Sequence, residues 1–261
     1  MRRWSFSKGH GTENDFVLIQ DRESMLHVGE AEVRAICHRH AGIGADGLLR
    51  AVKAKHIDGW DGDGELWFMD YRNADGSIAE TCGNGLRVFA RYLLDEGLAS
   101  GRSLEIATRA GLMEATALPD GRFRVSMGSV QVGHEPVTVT TSDGRSYQAT
   151  SIEVGNPHAV SFADDLDGLS LTLAPSFSPA EAFPKGVNFE FVRVVAERHI
   201  AMLVYERGVG ETRSCGTGTV AAAAAAAARE PSGDPEAPTT YRVDVLGGVV
   251  EVELAPEQAF L

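Results

Sequence analysis

The chain is short of cysteine, short of basic residues and without any long apolar run, and each shortage narrows what it can be. Three cysteines among 261 residues, with no Cys-x-x-Cys pair, argue against a disulfide framework and against a structural zinc site. No stretch approaches the roughly eighteen apolar residues of a membrane helix. The start, Met1-Arg2-Arg3-Trp4-Ser5-Phe6-Ser7-Lys8, meets polar residues before the apolar region of a signal peptide could form, so a cytoplasmic protein with no membrane partner is expected. Lys and Arg number 24 against 37 Asp and Glu, and a formal net charge of -13 repels phosphate backbones; nucleic acid is not an expected partner.

What is present is ordinary globular composition, 43% hydrophobic and 23% charged, in a length that allows one large domain or two modest ones. Strand patterns are predicted over Phe16 to Gln20, Glu65 to Tyr71, Leu104 to Ala107, Leu112 to Ala117 and Arg122 to Met127. A second series covers Tyr147 to Val154, His158 to Phe162, Val187 to Val194, His199 to Tyr205, Tyr241 to Leu246 and Val249 to Leu254. Helices are predicted over Glu30 to Arg39, over Leu86 to Leu94, and through Val220 and the alanines Ala221 to Ala228, stopping near Glu230 because Pro231 cannot continue the ladder. A polar linker follows from Pro231 to Pro238.

The strongest organisational signal is a repeat. A strand ending in Tyr71-Arg72 runs through a loop into Glu80-Thr81-Cys82-Gly83-Asn84-Gly85 and a helix, and Tyr205-Glu206-Arg207 runs likewise into Glu211-Thr212-Arg213-Ser214-Cys215-Gly216-Thr217-Gly218 and a helix. The cysteines are 133 positions apart, about half the chain, which points to two related lobes rather than a solenoid. A catalytic site is expected between them. A thiol at a helix start feels the positive end of the helix dipole, and the flanking glycines let backbone amides approach a carboxylate. One lobe supplying a thiolate and the other a thiol could remove a proton from one face of a substrate Cα and return one to the other, inverting it. Cys37 lacks this context and reads as core filling.

Two other motifs fail on context. Gly42-Ile43-Gly44-Ala45-Asp46-Gly47 fits G-x-G-x-x-G but follows a helical rather than a strand pattern, and Asp61-Gly62-Asp63-Gly64-Glu65 has Leu66 and Arg72 where a calcium loop needs Gly and Glu. No metal is expected. Asn14, Asn73, Asn156 and Asn188 each stand in a sharp, glycine-rich or proline-flanked setting; singly they suit turns, and together they could line a pocket for a zwitterion. Glu206 and Arg207, adjacent at a strand end, could reach opposite charges of one ligand, and His158 follows Asn156-Pro157.

These segments, with Phe6-Ser7-Lys8-Gly9-His10-Gly11 and Asn14-Asp15-Phe16, Tyr71-Arg72-Asn73-Ala74-Asp75-Gly76 and Gly155-Asn156-Pro157-His158, resemble the diaminopimelate epimerases across both halves of the chain. The resemblance implies an α+β fold of two pseudo-symmetric lobes, each a strand-rich barrel around a central helix, with the active site in the cleft between them. It implies epimerisation of LL-diaminopimelate to the meso form without a cofactor. Cys82 and Cys215 would be the acid/base thiols, and Gly83, Asn84, Gly216 and Thr217 would cradle the carboxylate at the reacting centre. Asn14, Asn73, Asn156, Asn188, Glu206 and Arg207 would hold the remaining charged groups, with His158 and Glu206 tuning the site. The first lobe would comprise residues 1–121 joined by 250–261, and the second 122–249. A small amino acid is the expected partner, and a homodimer is the assembly considered. One departure is Gly47, where many relatives carry Gln. Two other functions stay open at this point: a proline or hydroxyproline racemase, from which Asn84 and Arg207 argue away, and a non-catalytic amino-acid or redox-sensing binder.

Overall fold

The computed structural model describes residues 4–230 and 237–261; Met1-Arg2-Arg3 and most of the predicted linker, Pro231 to Glu236, lie outside them. Contacts divide the chain into two compact units, Met1–Val125 and Ser126–Leu261.

In the first unit β1 (Ser7–Gly11), β2 (Asn14–Gln20), α1 (Glu30–Cys37), β3 (Gly47–Lys53), β4 (Trp67–Asn73), α2 (Gly83–Asp95), β5 (Ser103–Thr108), β6 (Gly111–Ala117) and β7 (Phe123–Gly128) follow one another. Each strand pairs with the next: β1–β2 antiparallel, β2–β3 parallel, β3–β4 antiparallel, β4–β5 parallel, then β5–β6 and β6–β7 antiparallel. The strand β2 buries Phe16, Val17, Leu18 and Ile19 in succession, the signature of a strand covered on both faces. The neighbouring β3 is buried along its whole length although Arg50 and Lys53 interrupt its apolar pattern. Arg50 is accommodated because its Nε donates to Asp70 at 2.8 Å and its Nη1 to Asp21 at 3.1 Å. Burial alone would push the Asp70 carboxyl up, but Arg50, Arg109 and Arg72 outweigh it and hold it below the usual carboxylate range.

The second unit holds β8 (Gln131–Val132), β9 (Val137–Thr140), β10 (Ser146–Glu153), β11 (Pro157–Phe162), β12 (Ser176–Ser178), β13 (Asn188–Ala196), β14 (His199–Glu206), β15 (Gly210–Thr212), α3 (Gly216–Ala227), β16 (Thr239–Val245), β17 (Gly248–Leu254) and β18 (Ala259–Phe260). Its main strands repeat the first unit's scheme in the same order. β10–β11 is antiparallel, β11–β13 parallel, β13–β14 antiparallel, β14–β16 parallel, and β16–β17 and β17–β18 antiparallel, with the helix again between the fourth and fifth strands. The sequence repeat is thus a duplicated supersecondary unit, and the fold is α+β with two strand-rich lobes. The division between the two compact units falls within β7, at Val125/Ser126. β17 pairs along β16, β18 pairs with β17 at Glu253 and Leu254, and Ala259 and Phe260 of β18 also pair with Gly128 and Ser126 of β7.

The two central helices are built differently. Strands β1, β2, β3, β4 and β6 surround α2, which buries Leu86, Phe89, Ala90, Tyr92 and Leu93 and turns Arg91 and Asp95 outward. Around α3 lie β10, β11, β13, β14, β16 and β17, and the helix is apolar all round, with Val220 and Ala221 to Ala226 buried. Alanine permits strands to approach this helix from every side, so Ala223→Leu should overpack the core. The expected cost is about 1–3 kcal/mol, read as a lower urea midpoint at unchanged slope.

Candidate active site

Each cysteine caps the helix that its unit wraps. Cys82 is the N-cap of α2 in extended conformation, and its sulfur accepts the Gly85 N–H at 3.4 Å; Cys215 does the same for α3 with the Gly218 N–H, also at 3.4 Å. Sulfur here occupies the place usually taken by a Ser or Asp oxygen, at the end of the helix where negative charge is favoured. The periodicity places the first helix start at Leu86, three residues late, because the glycine-rich Gly83-Asn84-Gly85 that forms its first turn has poor helix propensity.

On the first side Asn14 Oδ1 accepts from the Cys82 thiol at 3.6 Å and from Asn84 Nδ2 at 3.4 Å. The Asn14 amide is fixed in that sense because its Nδ2 donates to Asp46 at 2.9 Å, while Arg39 ties Asp46 to Asp15. Asn84, itself buried, accepts from Arg87 at 2.6 Å. Burial pushes the Arg87 guanidinium down, opposed by its attraction to Cys82, so the charge that Cys82 meets from its own helix is positive. Asn73 closes a local turn, donating to Ser77 Oγ at 3.0 Å. Gly47 pairs opposite Asn73, and a Cβ there would come within 2.6 Å of Arg72 O and of the Tyr71 ring. The space a side chain would need at position 47 is taken by Tyr71.

On the second side the sulfur of Cys215 lies 3.5 Å from Thr217 Oγ1 and in hydrogen-bond contact with Glu206. His158 is fully buried, its Nδ1 2.7 Å from Glu190 Oε1 and its Nε2 2.8 Å from Asn156 Oδ1. Asn188 Oδ1 accepts the Arg207 N–H at 2.8 Å, and the exposed Arg207 guanidinium donates to Lys185 O at 2.8 Å and to Gly186 O at 3.3 Å. Burial, then the nearby Glu206 and Glu190 carboxylates, pushes the Cys215 thiol far up, so it rests protonated. Glu206 keeps some surface at the strand end, but its carboxyl is enclosed, and that burial raises it despite the 2.5 Å hydrogen bond from Thr212. Cys37, in the first unit's core, is pushed up to about 11 by burial and is no candidate.

The predicted residues therefore form two clusters: Cys82, Gly83, Asn84 and Asn14, with Asn73 nearby at the end of β4, and Cys215, Gly216, Thr217, Glu206, His158 and Asn156, with Asn188 and Arg207 adjoining. Glu190 is the one that sequence reading missed. It lies inside a predicted strand of apolar neighbours, Phe189 and Phe191, and only its isolation among them could have marked it. Gly218 exists to make room for it. A Cβ on Gly218 would stand 2.6 Å from Glu190 Oε1 and 3.3 Å from the Cys215 sulfur. Gly218→Ala should accordingly displace both groups and lower turnover by about tenfold or more, with the thermal midpoint as the control for folding.

Among the described residues no His/Cys/Asp/Glu group could hold a metal ion, and no helix is long and apolar enough to cross a membrane.

The fold is one that solved structures of isomerases and related proteins share. A PhzF-family phenazine biosynthesis protein from Bacillus anthracis superposes with TM-score 0.67 at 15% identity, covering 98% of this chain and 93% of that one. A hydroxyproline epimerase from Agrobacterium vitis also gives 0.67 at 15% identity, covering 98% and 87%. Sequence is more specific. The diaminopimelate epimerase family model matches residues 6–133 and 150–260, and this chain belongs to that family. It is 48% identical to the diaminopimelate epimerase of Streptomyces coelicolor over 98% of this chain and 90% of that protein, and 49% identical to that of Thermobifida fusca over 95% and 90%.

Proposed function

We propose that the protein is a cofactor-independent isomerase that epimerises LL-diaminopimelate to meso-diaminopimelate, in lysine biosynthesis. What carries this reading is the pair of glycine-flanked, cysteine-capped helix starts, one in each half of a duplicated fold. Cys82 and Cys215 are the catalytic residues. In one direction the Cys82 thiolate takes the α-proton, and Cys215, held neutral by burial and two carboxylates, gives its proton to the other face of the same carbon; the reverse direction exchanges the roles. The α-proton of an amino acid is too weakly acidic for a thiolate unless the developing carbanion is stabilised. First-turn amides around Gly83, Asn84, Gly216 and Thr217 supply that stabilisation at the reacting carboxylate.

Asn14, Asn73, Asn156, Asn188, Glu206 and Arg207 hold the ammonium and carboxylate groups, chiefly at the end that does not react. Arg207 is suited to the distal carboxylate because its backbone is anchored on Asn188 while its guanidinium stays exposed. His158 and Glu206 set the charge around Cys215. The reading places the protein in the cytoplasm, and gel filtration distinguishes the homodimer from a monomer. The test is conversion of LL-diaminopimelate followed with a stereospecific meso-diaminopimelate dehydrogenase. Turnover should persist after dialysis against a chelator with no pyridoxal phosphate added; turnover restored only by either addition would contradict the proposal.

A further inference from the structure

The duplication supplies an internal control for every group beneath the two cysteines. In the first unit Phe16 of β2 pairs with Gly47 of β3, and two residues further along β3 stands Leu49. Phe16 and Leu49 come within 3.5 and 3.6 Å of the position a Cβ on Gly85 would take, directly under the first turn of α2. In the second unit His158 of β11 pairs with Asn188 of β13, and two residues further along β13 stands Glu190, under Gly218 in the first turn of α3. His158 thus takes the place of Phe16, and Glu190 that of Leu49. An apolar seat in one half has become a hydrogen-bonded acid and imidazole in the other.

Such a replacement is costly unless the groups satisfy each other, and they do so incompletely. Glu190 is fully buried; Oε1 meets His158 Nδ1, but Oε2 has no hydrogen-bond partner and no access to water. Both nitrogens of His158 face oxygen, Nδ1 toward Glu190 Oε1 and Nε2 toward Asn156 Oδ1. The carboxyl is the end of the pair at α3: Glu190 Oε1 lies beside Gly218, and the Cys215 sulfur beside the same point. The ionisable groups facing that sulfur are Glu190 from β13 and Glu206 from β14, with His158 of β11 behind Glu190.

We propose that Glu190 is a positioning residue for the second thiol: it fixes the imidazole of His158 between itself and Asn156, and it places a carboxylate under the α3 N-terminus that keeps Cys215 in its protonated, proton-donating form. The first thiol has no counterpart of this device, since Leu49 and Phe16 occupy the equivalent places. The two halves of a nearly symmetric fold thereby set unlike groups beneath their thiols, an apolar seat under the first and a carboxylate under the second. This inference rests on the acid/base role given to Cys215, but its test is read without turnover.

The experiment is modification of ligand-free, full-length protein with methyl methanethiolsulfonate across a pH series, with Cys82 and Cys215 followed separately by peptide mass spectrometry. Glu190→Gln keeps the length of the side chain and an oxygen facing His158 Nδ1, and removes the carboxylate beside Gly218. The half-reaction pH of Cys215 should fall by about one unit, a roughly tenfold gain in thiolate at a given pH, while that of Cys82 stays in place. The basic limb of the kcat profile in the direction where Cys215 donates should move down with it, KM changing less than about twofold. Should Glu190→Gln fail to fold, the double variant His158→Phe with Glu190→Leu installs the apolar seat already used under α2, and the Cys215 profile should again move down while that of Cys82 stays in place. An unmoved or raised Cys215 profile in a folded variant, or an equal shift at Cys82, would overturn the proposal. A parent protein without diaminopimelate epimerase activity, with the Cys215 shift intact, would instead count against the functional reading alone.

Discussion

Replacing either Cys82 or Cys215 with alanine should lower epimerisation by about 1,000-fold or more, because the missing thiol is the only group proposed to move a proton on its face of the substrate carbon. The two variants should not be equivalent in what they leave behind. With one thiol absent, the other can still exchange the proton it reaches, so one of the two isomers should take up solvent deuterium slowly without inverting. The other isomer should do so when the other thiol is the one removed. Both variants should fold, since each cysteine sulfur accepts one cap hydrogen bond, from Gly85 N–H or Gly218 N–H, and its loss as a cap costs about 1 kcal/mol. Stereochemical assay and deuterium exchange on the same samples check this, and activity within tenfold of the parent in either variant would remove the two-base mechanism.

Arg207→Ala should weaken kcat/KM for diaminopimelate by about 100- to 1,000-fold. A pocket arranged to pair with a charged group discriminates strongly against its absence, because partners on both sides lose their hydrogen bonds at once. The effect should fall on recognition of the distal carboxylate, so the variant should gain nothing on alanine or proline and lose its preference for diaminopimelate over lysine. The Arg207 stem packs where Gly186 leaves room, a Cβ there lying 2.9 Å from Arg207 Cδ. Gly186→Ala should therefore give a milder form of the same defect. Efficient racemisation of proline or lysine by the parent protein would show that the substrate class had been misassigned. Kinetics with the four amino acids on parent and variant proteins decide the matter.

Most of the candidate site was legible in the sequence because its motifs are local. Cys-Gly-Asn-Gly and Cys-Gly-Thr-Gly mark a cap and a first turn within four residues, although the apolar periodicity begins only after that turn, at Leu86 and Val220, while α2 and α3 begin at Gly83 and Gly216. Strands with continuous β-branched or aromatic runs, such as β2 and β14, were equally legible. What escaped depended on partners far away in the chain. The strand β3 is masked by Arg50 and Lys53, and only Asp21 and Asp70, 29 and 20 positions from Arg50, explain how a charged residue sits inside it. The strand β1 is glycine-rich and polar, and it is a strand because β2 pairs with it from Ser7 to Gly11. Glu190 is the same case at the site: nothing in Asn188-Phe189-Glu190-Phe191 announces a carboxylate under a helix start, and only the parallel pairing with β11 brings it to His158. Helix α1 stops at Cys37 rather than at Arg39, because the His38 ring accepts the backbone N–H groups of His40 and Ala41 and turns the chain.

The central claim is inversion by two thiols, and the most direct measurement is proton NMR of LL-diaminopimelate turning over in deuterium oxide during the first few per cent of reaction. Two bases require that meso-diaminopimelate form with solvent deuterium at the inverted carbon while the remaining LL isomer keeps its protium, since the proton leaves to one sulfur and the new one arrives from the other. Product that retains the original proton, or substrate that loses its proton as fast as product forms, would contradict it by showing that a single base serves both faces.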